Sequence, residues 1–191
     1  MNKRLCVAFA GCLFAPVVLL AQQAPQGAAA PPANPITVSE KGLYSFLSSS
    51  VTRAAEKMPE ENYSFKATPD VRSFGQLVGH VADANYMFCS KAAGEDNPNK
   101  GSIEKTKTSK ADLVAAVKDA VAYCTKSFDS MTDAKGSEMM QLFSFHLAKL
   151  TILSLNTAHT NEHYGNMVTY MRLKGIVPPT SETPPPAPAP K

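Results

Sequence analysis

Four stretches of the chain repeat apolar residues at intervals of three and four, the spacing that gathers them on one face of an α-helix. The first runs from about Val38 to Met58, with Leu43, Phe46, Leu47, Val51 and Ala54 in phase, and stops before Pro59. The second opens at Ser73, where Gln76 three residues on completes a capping-box signature. Leu77, Val78, Val81, Ala84 and Phe88 follow, and Gly94 ends it. The third opens at Ser109 with Asp112 in its first turn and carries one stripe, Leu113, Val117, Ala120, Cys124, Phe128 and Met131. The fourth begins near Leu147, is apolar nearly all round at first, and ends at Lys174-Gly175 with Pro178 just beyond, the pattern of a glycine-capped helix. A helix this apolar belongs at the centre of the domain. No convincing run of period two interrupts the four, so the pattern predicts an all-α, four-helix bundle over residues 36–177.

Connection lengths bear on the direction of the helices. The link from Glu95 to Thr108 is polar and, extended at roughly 3.3 Å per residue, outreaches a twenty-residue helix of about 30 Å. The chain can therefore return to its starting end and run the third helix parallel to the second. The Pro59–Arg72 link is also long, so length permits this arrangement without requiring it.

The ends of the chain differ from the middle. Lys3 and Arg4 precede an apolar run from Leu5 to Leu20, with Ala21 at the cut, the layout of a secretory signal over residues 1–21. The run is short for a membrane span, so a cleaved signal is favoured over an uncleaved anchor or a lipoprotein cut before Cys12. Residues 22–35 are an Ala, Gln and Pro linker. Residues 178–191 hold seven of the chain's 15 prolines and read as an extended, solvated tail. The expected location is the periplasm or the exterior, without stable membrane insertion. The chain's 191 residues leave room for one domain. Its net charge of +3 falls to about +1 once the signal leaves, which excludes nucleic-acid binding by bulk charge.

Removal of the signal also removes Cys6 and Cys12 and leaves Cys89 and Cys124. Two cysteines in an exported chain are usually bridged. Cys89 lies sixteen residues after Ser73 and Cys124 fifteen after Ser109, so parallel second and third helices would bring the thiols level. Antiparallel helices would leave them apart, as two small buried hydrophobes.

The chain has four His. His159 and His163 are one turn apart and share a helix face, so both imidazoles can reach one ion at 2.0–2.1 Å. Along that face Ile152, Leu155, His159, His163, Asn166, Tyr170 and Leu173 are apolar at both ends and polar in the middle, which suits a polar site set inside a bundle. His80, on the stripe Leu77, His80, Ala84 and Met87, is the natural third ligand of an open site. The other reading of His80 is a satisfied core histidine. His146 falls before the fourth helix and is expected to be structural or exposed. The run His159-Thr160-Asn161-Glu162-His163 also fits the H-x-x-E-H pattern of inverted zinc peptidases. That family draws its third ligand from a Glu far downstream in a much larger domain, and the downstream acid here, Glu182, lies in the proline tail. Glu162 is the catalytic candidate, either reaching water on a bound ion or remaining solvated on the helix edge.

At these residues the sequence resembles the DinB/YfiT-like superfamily of metalloenzymes. The matching segments are Phe65-Lys66-Ala67-Thr68-Pro69 with Ser73-Phe74-Gly75-Gln76-Leu77-Val78-Gly79-His80, and His159 to Asn166 continuing through Tyr170-Met171-Arg172-Leu173-Lys174-Gly175 to Pro179. The resemblance implies an up-down-down-up bundle and a divalent-metal site on His80, His159 and His163, holding one ion such as Zn²⁺ or Ni²⁺. Relatives include cytosolic thiol-dependent transferases and an isomerase; an export signal sets this chain apart from thiol transfer. The expected function is that of an exported metal-dependent hydrolase or transferase on a small-molecule substrate, with a non-catalytic metal-binding module as the alternative. A homodimer is compatible with this reading.

Overall fold

The computed structural model of the protein describes residues 32–183. The expected signal peptide, most of the linker and the last eight residues of the tail lie outside the described residues.

Four long helices form the frame: α1 (Pro35–Lys57), α2 (Phe74–Ala93), α4 (Lys110–Asp129) and α6 (Lys149–Leu173). Two one-turn helices, α3 (Ile103–Thr106) and α5 (Asp133–Gly136), lie in the connections. The caps follow from local chemistry. Ser73 and Gln76 exchange both bonds of a capping box, and Gly94 closes α2 at φ 77°, a conformation that costs glycine little. Ser109 accepts from the Asp112 N–H at the start of α4.

Side-chain pairs fix the directions. Tyr44 meets Asn85, and Lys41 meets Asp129, so α1 runs against both α2 and α4. Glu40 meets Ser154 near the beginnings of α1 and α6, which run together. Gly75 abuts Leu113 at the start of α2 and α4, and Cys89 faces Cys124 further along. The bundle is therefore up-down-down-up, with α2 packed between α4 and α6. The two cysteine Cα atoms are 5.2 Å apart, inside the range that a disulfide spans.

Two apolar clusters make the core. One gathers Met58, Phe74, Leu113, Met167 and Met171, the other Tyr44, Phe128, Ile152 and Leu153. Between them lies a buried polar layer. The Asn85 carbonyl accepts from the Tyr44 hydroxyl at 2.6 Å and from the Asn156 amide at 3.0 Å, while the Asn85 amide donates to the Val81 carbonyl.

Several expectations change. In α1, Leu47, Val51 and Ala54 are buried as the periodicity predicts, but Leu43 and Phe46 are more than half exposed, and Tyr44 takes the core position. A hairpin that the sequence pattern does not predict, β1 (Met139–Leu142) with β2 (Phe145–Ala148), precedes α6. Its tip is Phe143-Ser144, with Phe143 at φ 52°. The tip lacks the Asn-Gly or Asp-Gly signal of a two-residue hairpin, and α6 starts at Lys149 rather than Leu147. The proline-rich end does not leave the bundle at once. Pro179 is buried, Thr180 bonds the Tyr164 hydroxyl, and Glu182 pairs with Arg53 and Lys57 of α1. No helix among the described residues is long and apolar enough to cross a membrane.

Candidate metal centre

Helices α2 and α6 cross above the polar layer, His80 facing His159 and His163. The His159 Nε2 lies 3.1 Å from the Nε2 of His80 and 3.1 Å from the Nε2 of His163. Ligand atoms of the three rings all lie within 4.8 Å of one another. Two nitrogens each 2.0–2.1 Å from one tetrahedral ion would be ~3.3–3.4 Å apart, so the spacing fits a single ion with little adjustment.

Proton counting supports the fit. A neutral imidazole carries one N–H. His80 presents Nδ1 to a carboxylate oxygen of Glu104 at 3.0 Å, which places its proton there and leaves Nε2 as a lone pair. His159 has at most one Nε2–H to share between two neighbouring nitrogens. The centre thus holds more lone pairs than protons, the donor set of a cation site. Burial, then the neighbouring imidazoles and Arg72, lower the pKa of His159 to about 4. Burial and His80 lower that of His163. Both rings are neutral at pH 7, as ligation requires. The His159 Nδ1 is buried with no hydrogen-bond partner.

Beside His163 opens a cavity of about 590 Å³, with Lys66, Arg72, Glu104, Glu162, Asn166 and Tyr170 on its walls. Glu162 is exposed on the α6 edge. It lines the cavity that His163 also lines. His146 is exposed on β2 and takes no part. Glu182, engaged by Arg53 and Lys57, is absent from the group of potential ligands.

Sequence reasoning missed Glu104. Its carboxylate bridges His80 and the Arg72 Nε, the latter at 2.8 Å. It stands in a connection with no periodicity, 24 residues from His80, and no spacing rule reaches it.

Comparison with known proteins agrees with this architecture. The family model described as the DinB superfamily matches residues 47–167. An uncharacterised Bacillus subtilis (strain 168) protein, YjoA, is 26% identical over 125 residues, spanning 63% of this chain and 79% of its own length. A crystal structure of a DinB-like protein from Bacillus cereus ATCC 10987 superposes with a TM-score of 0.66 at 15% identity, covering 74% of this chain and 95% of that one. The YjoA crystal structure gives a TM-score of 0.61 at 23% identity, covering 72% and 92%. At these identities the two structures speak for the fold.

Proposed function

Because the chain belongs to the DinB superfamily and carries a convergent cluster of three imidazoles, we propose that it binds one divalent metal ion, Zn²⁺ or Ni²⁺, through His80, His159 and His163. We propose further that it is a metal-dependent hydrolase or transferase acting on a small substrate in the cavity beside His163. The observation that carries the reading is the approach of three Nε2 atoms with too few protons to satisfy one another.

Such an ion supplies Lewis acidity, polarising a carbonyl and making water a nucleophile near neutral pH. The residues of the chain do the rest. Of the three imidazoles His163 lines the cavity, so an open ligand position would face that space. Glu162, on the cavity wall, would be the residue to take a proton from an attacking water, and Lys66 and Asn166 would offer donors to orient a polar substrate. A second reading, a metal-stabilised module without catalysis, is favoured by the burial of two helices against each other at the centre, since an ion there would also pin α2 to α6. Cobalt substitution separates the two: a ligand field that changes when small anions are added reports an open position, and an inert field supports the second reading.

Metal analysis of protein purified without an affinity His tag should give one ion per chain. His80→Ala or His159→Ala should abolish it, and His146→Ala should leave it intact. A full complement of metal in either of the first two variants would exclude the three-His site.

We also propose that the chain is exported, with cleavage near Ala21, and that Cys89 and Cys124 are then bridged in an oxidising compartment. N-terminal sequencing of the mature protein from the periplasm or medium tests the first. Two free thiols in unreduced, denatured mature protein would refute the second.

A further inference from the structure

We infer that Glu104 is a positioning residue for the metal centre, one that sets which nitrogen of His80 faces the ion and holds the ring in that direction. The inference rests on the three-His reading above.

The geometry is specific. One carboxylate oxygen accepts the His80 Nδ1–H at 3.0 Å and the other accepts the Arg72 Nε–H at 2.8 Å. The Glu104 side chain is only 18% exposed, so these contacts compete little with water. A carboxylate on the far nitrogen of a ligating imidazole fixes the tautomer, aligns the lone pair and raises its basicity. Of the three rings, His80 has a carboxylate on Nδ1; His163 has the Asn166 amide at 3.4 Å, and His159 has no partner there.

The backbone around Glu104 is held as closely as its side chain. Asp83, one turn beyond Gly79 on α2, accepts from the Ile103 N–H at 2.8 Å, the Glu104 N–H at 3.1 Å, the Ser102 hydroxyl and the Asn99 amide. These bonds bring the connection onto α2 at Gly79. A Cβ there would stand 2.7 Å from the Glu104 Cα and 2.9 Å from its nitrogen. A side chain at position 79 would therefore push the Glu104 backbone off the helix that carries His80. The α2–α4 connection, which supplies no ligand of its own, thus sets the direction of one ligand through two residues of α2 and one carboxylate.

The test is Zn²⁺ affinity of the mature full-length protein, measured by competition with a chromophoric chelator, together with ¹⁵N-histidine NMR of the Zn²⁺-loaded form. Glu104→Ala should weaken Zn²⁺ binding roughly 10–100-fold, the usual loss on removing such a partner. It should also abolish the exchange-protected Nδ1–H resonance of His80. Glu104→Gln keeps an acceptor oxygen and should retain that resonance and recover much of the affinity. Gly79→Ala, which changes no polar atom, should weaken Zn²⁺ in the same direction as Glu104→Ala, and it decides the matter if the latter does not fold. Affinity within twofold of the parent in both Glu104→Ala and Gly79→Ala would overturn the inference. So would a Gln variant as weak as the Ala variant, since that would reduce Glu104 to a bare charge. Failure of the parent to bind Zn²⁺, or undiminished binding by His159→Ala, would instead remove the three-His reading on which the inference stands.

Discussion

Asn85 has no exposed surface and lies five residues beyond His80. Its carbonyl takes hydrogen bonds from α1 and α6 at once, through Tyr44 and Asn156. Asn85→Ala would orphan the Tyr44 hydroxyl and leave the Asn156 amide only the weakly accepting sulfurs of Cys89 and Cys124, and a buried unsatisfied group costs on the order of 1–3 kcal/mol. Urea unfolding should show a loss of at least that order with an unchanged slope, and a loss under ~0.5 kcal/mol would mean that the donors find other partners. Histidines 80, 159 and 163 were legible because their chemistry is scarce and, for two of them, the spacing of one turn implies a common face. Asn85 and Glu104 were not. Asparagine inside a helix looks like a solvated face until a second helix is laid against it. A glutamate in a polar connection looks like any other until the loop folds back.

Among the elements, the start of α1 depends on another helix. The Asp133 carboxylate, from α5, accepts from the Thr37 N–H and hydroxyl at 2.8 Å and from the Ile36 N–H at 3.2 Å. A carboxylate beside free N–H groups at a helix N-terminus is favourable, and the backbone bond from Thr37 leads in lowering its pKa. A native pKa below the unfolded value means that the unfolded chain binds the proton more readily. The stabilisation is therefore complete above the unfolded pKa and is lost as pH falls through the native one. Asp133→Asn should lower the melting temperature at pH 7, and the gap to the parent should close as pH falls through the native carboxylate value. A gap that persists unchanged into strong acid would show that charge is not the cause. The four long helices were readable because each carries an apolar stripe and a start or stop signal, Pro59 for α1, Ser73 for α2, Ser109 for α4 and Gly175 for α6. The β1–β2 hairpin was not, since its left-handed turn residue is Phe143 rather than Gly or Asn. Phase within α1 was also misread, because Leu43 and Phe46 outweigh Tyr44 on hydrophobicity alone, and only the packing of α4 and α6 decides which side is covered.

At the scale of the whole molecule, the direction of the helices joins the metal centre to the cysteine pair. A bridge between Cys89 and Cys124 would close a loop of 35 residues, worth about 3–4 kcal/mol by the chain-entropy argument, less any strain. It would also tie α2, and with it His80, to α4. Reduction should therefore lower the melting temperature and weaken Zn²⁺ binding together; a lower melting temperature with unaltered affinity would show that the polar layer alone sets the height of α2. The parallel run of α2 and α4 was only permitted by the length of the Glu95–Thr108 link, and the resemblance, not the link, made the choice. The same arrangement gives the molecule two unlike poles. The chain enters at Asn34, at the end where α1 begins, and the 23 residues of α1 carry it about 34 Å along the axis at 1.5 Å per residue. The cavity lies near the far pole, among residues that follow α1 and residues near the end of α6. A molecule immobilised on a sensor surface through a side chain at the start of α1 would accordingly hold its cavity on the far side, whereas attachment through Lys66, on the cavity wall, would block it.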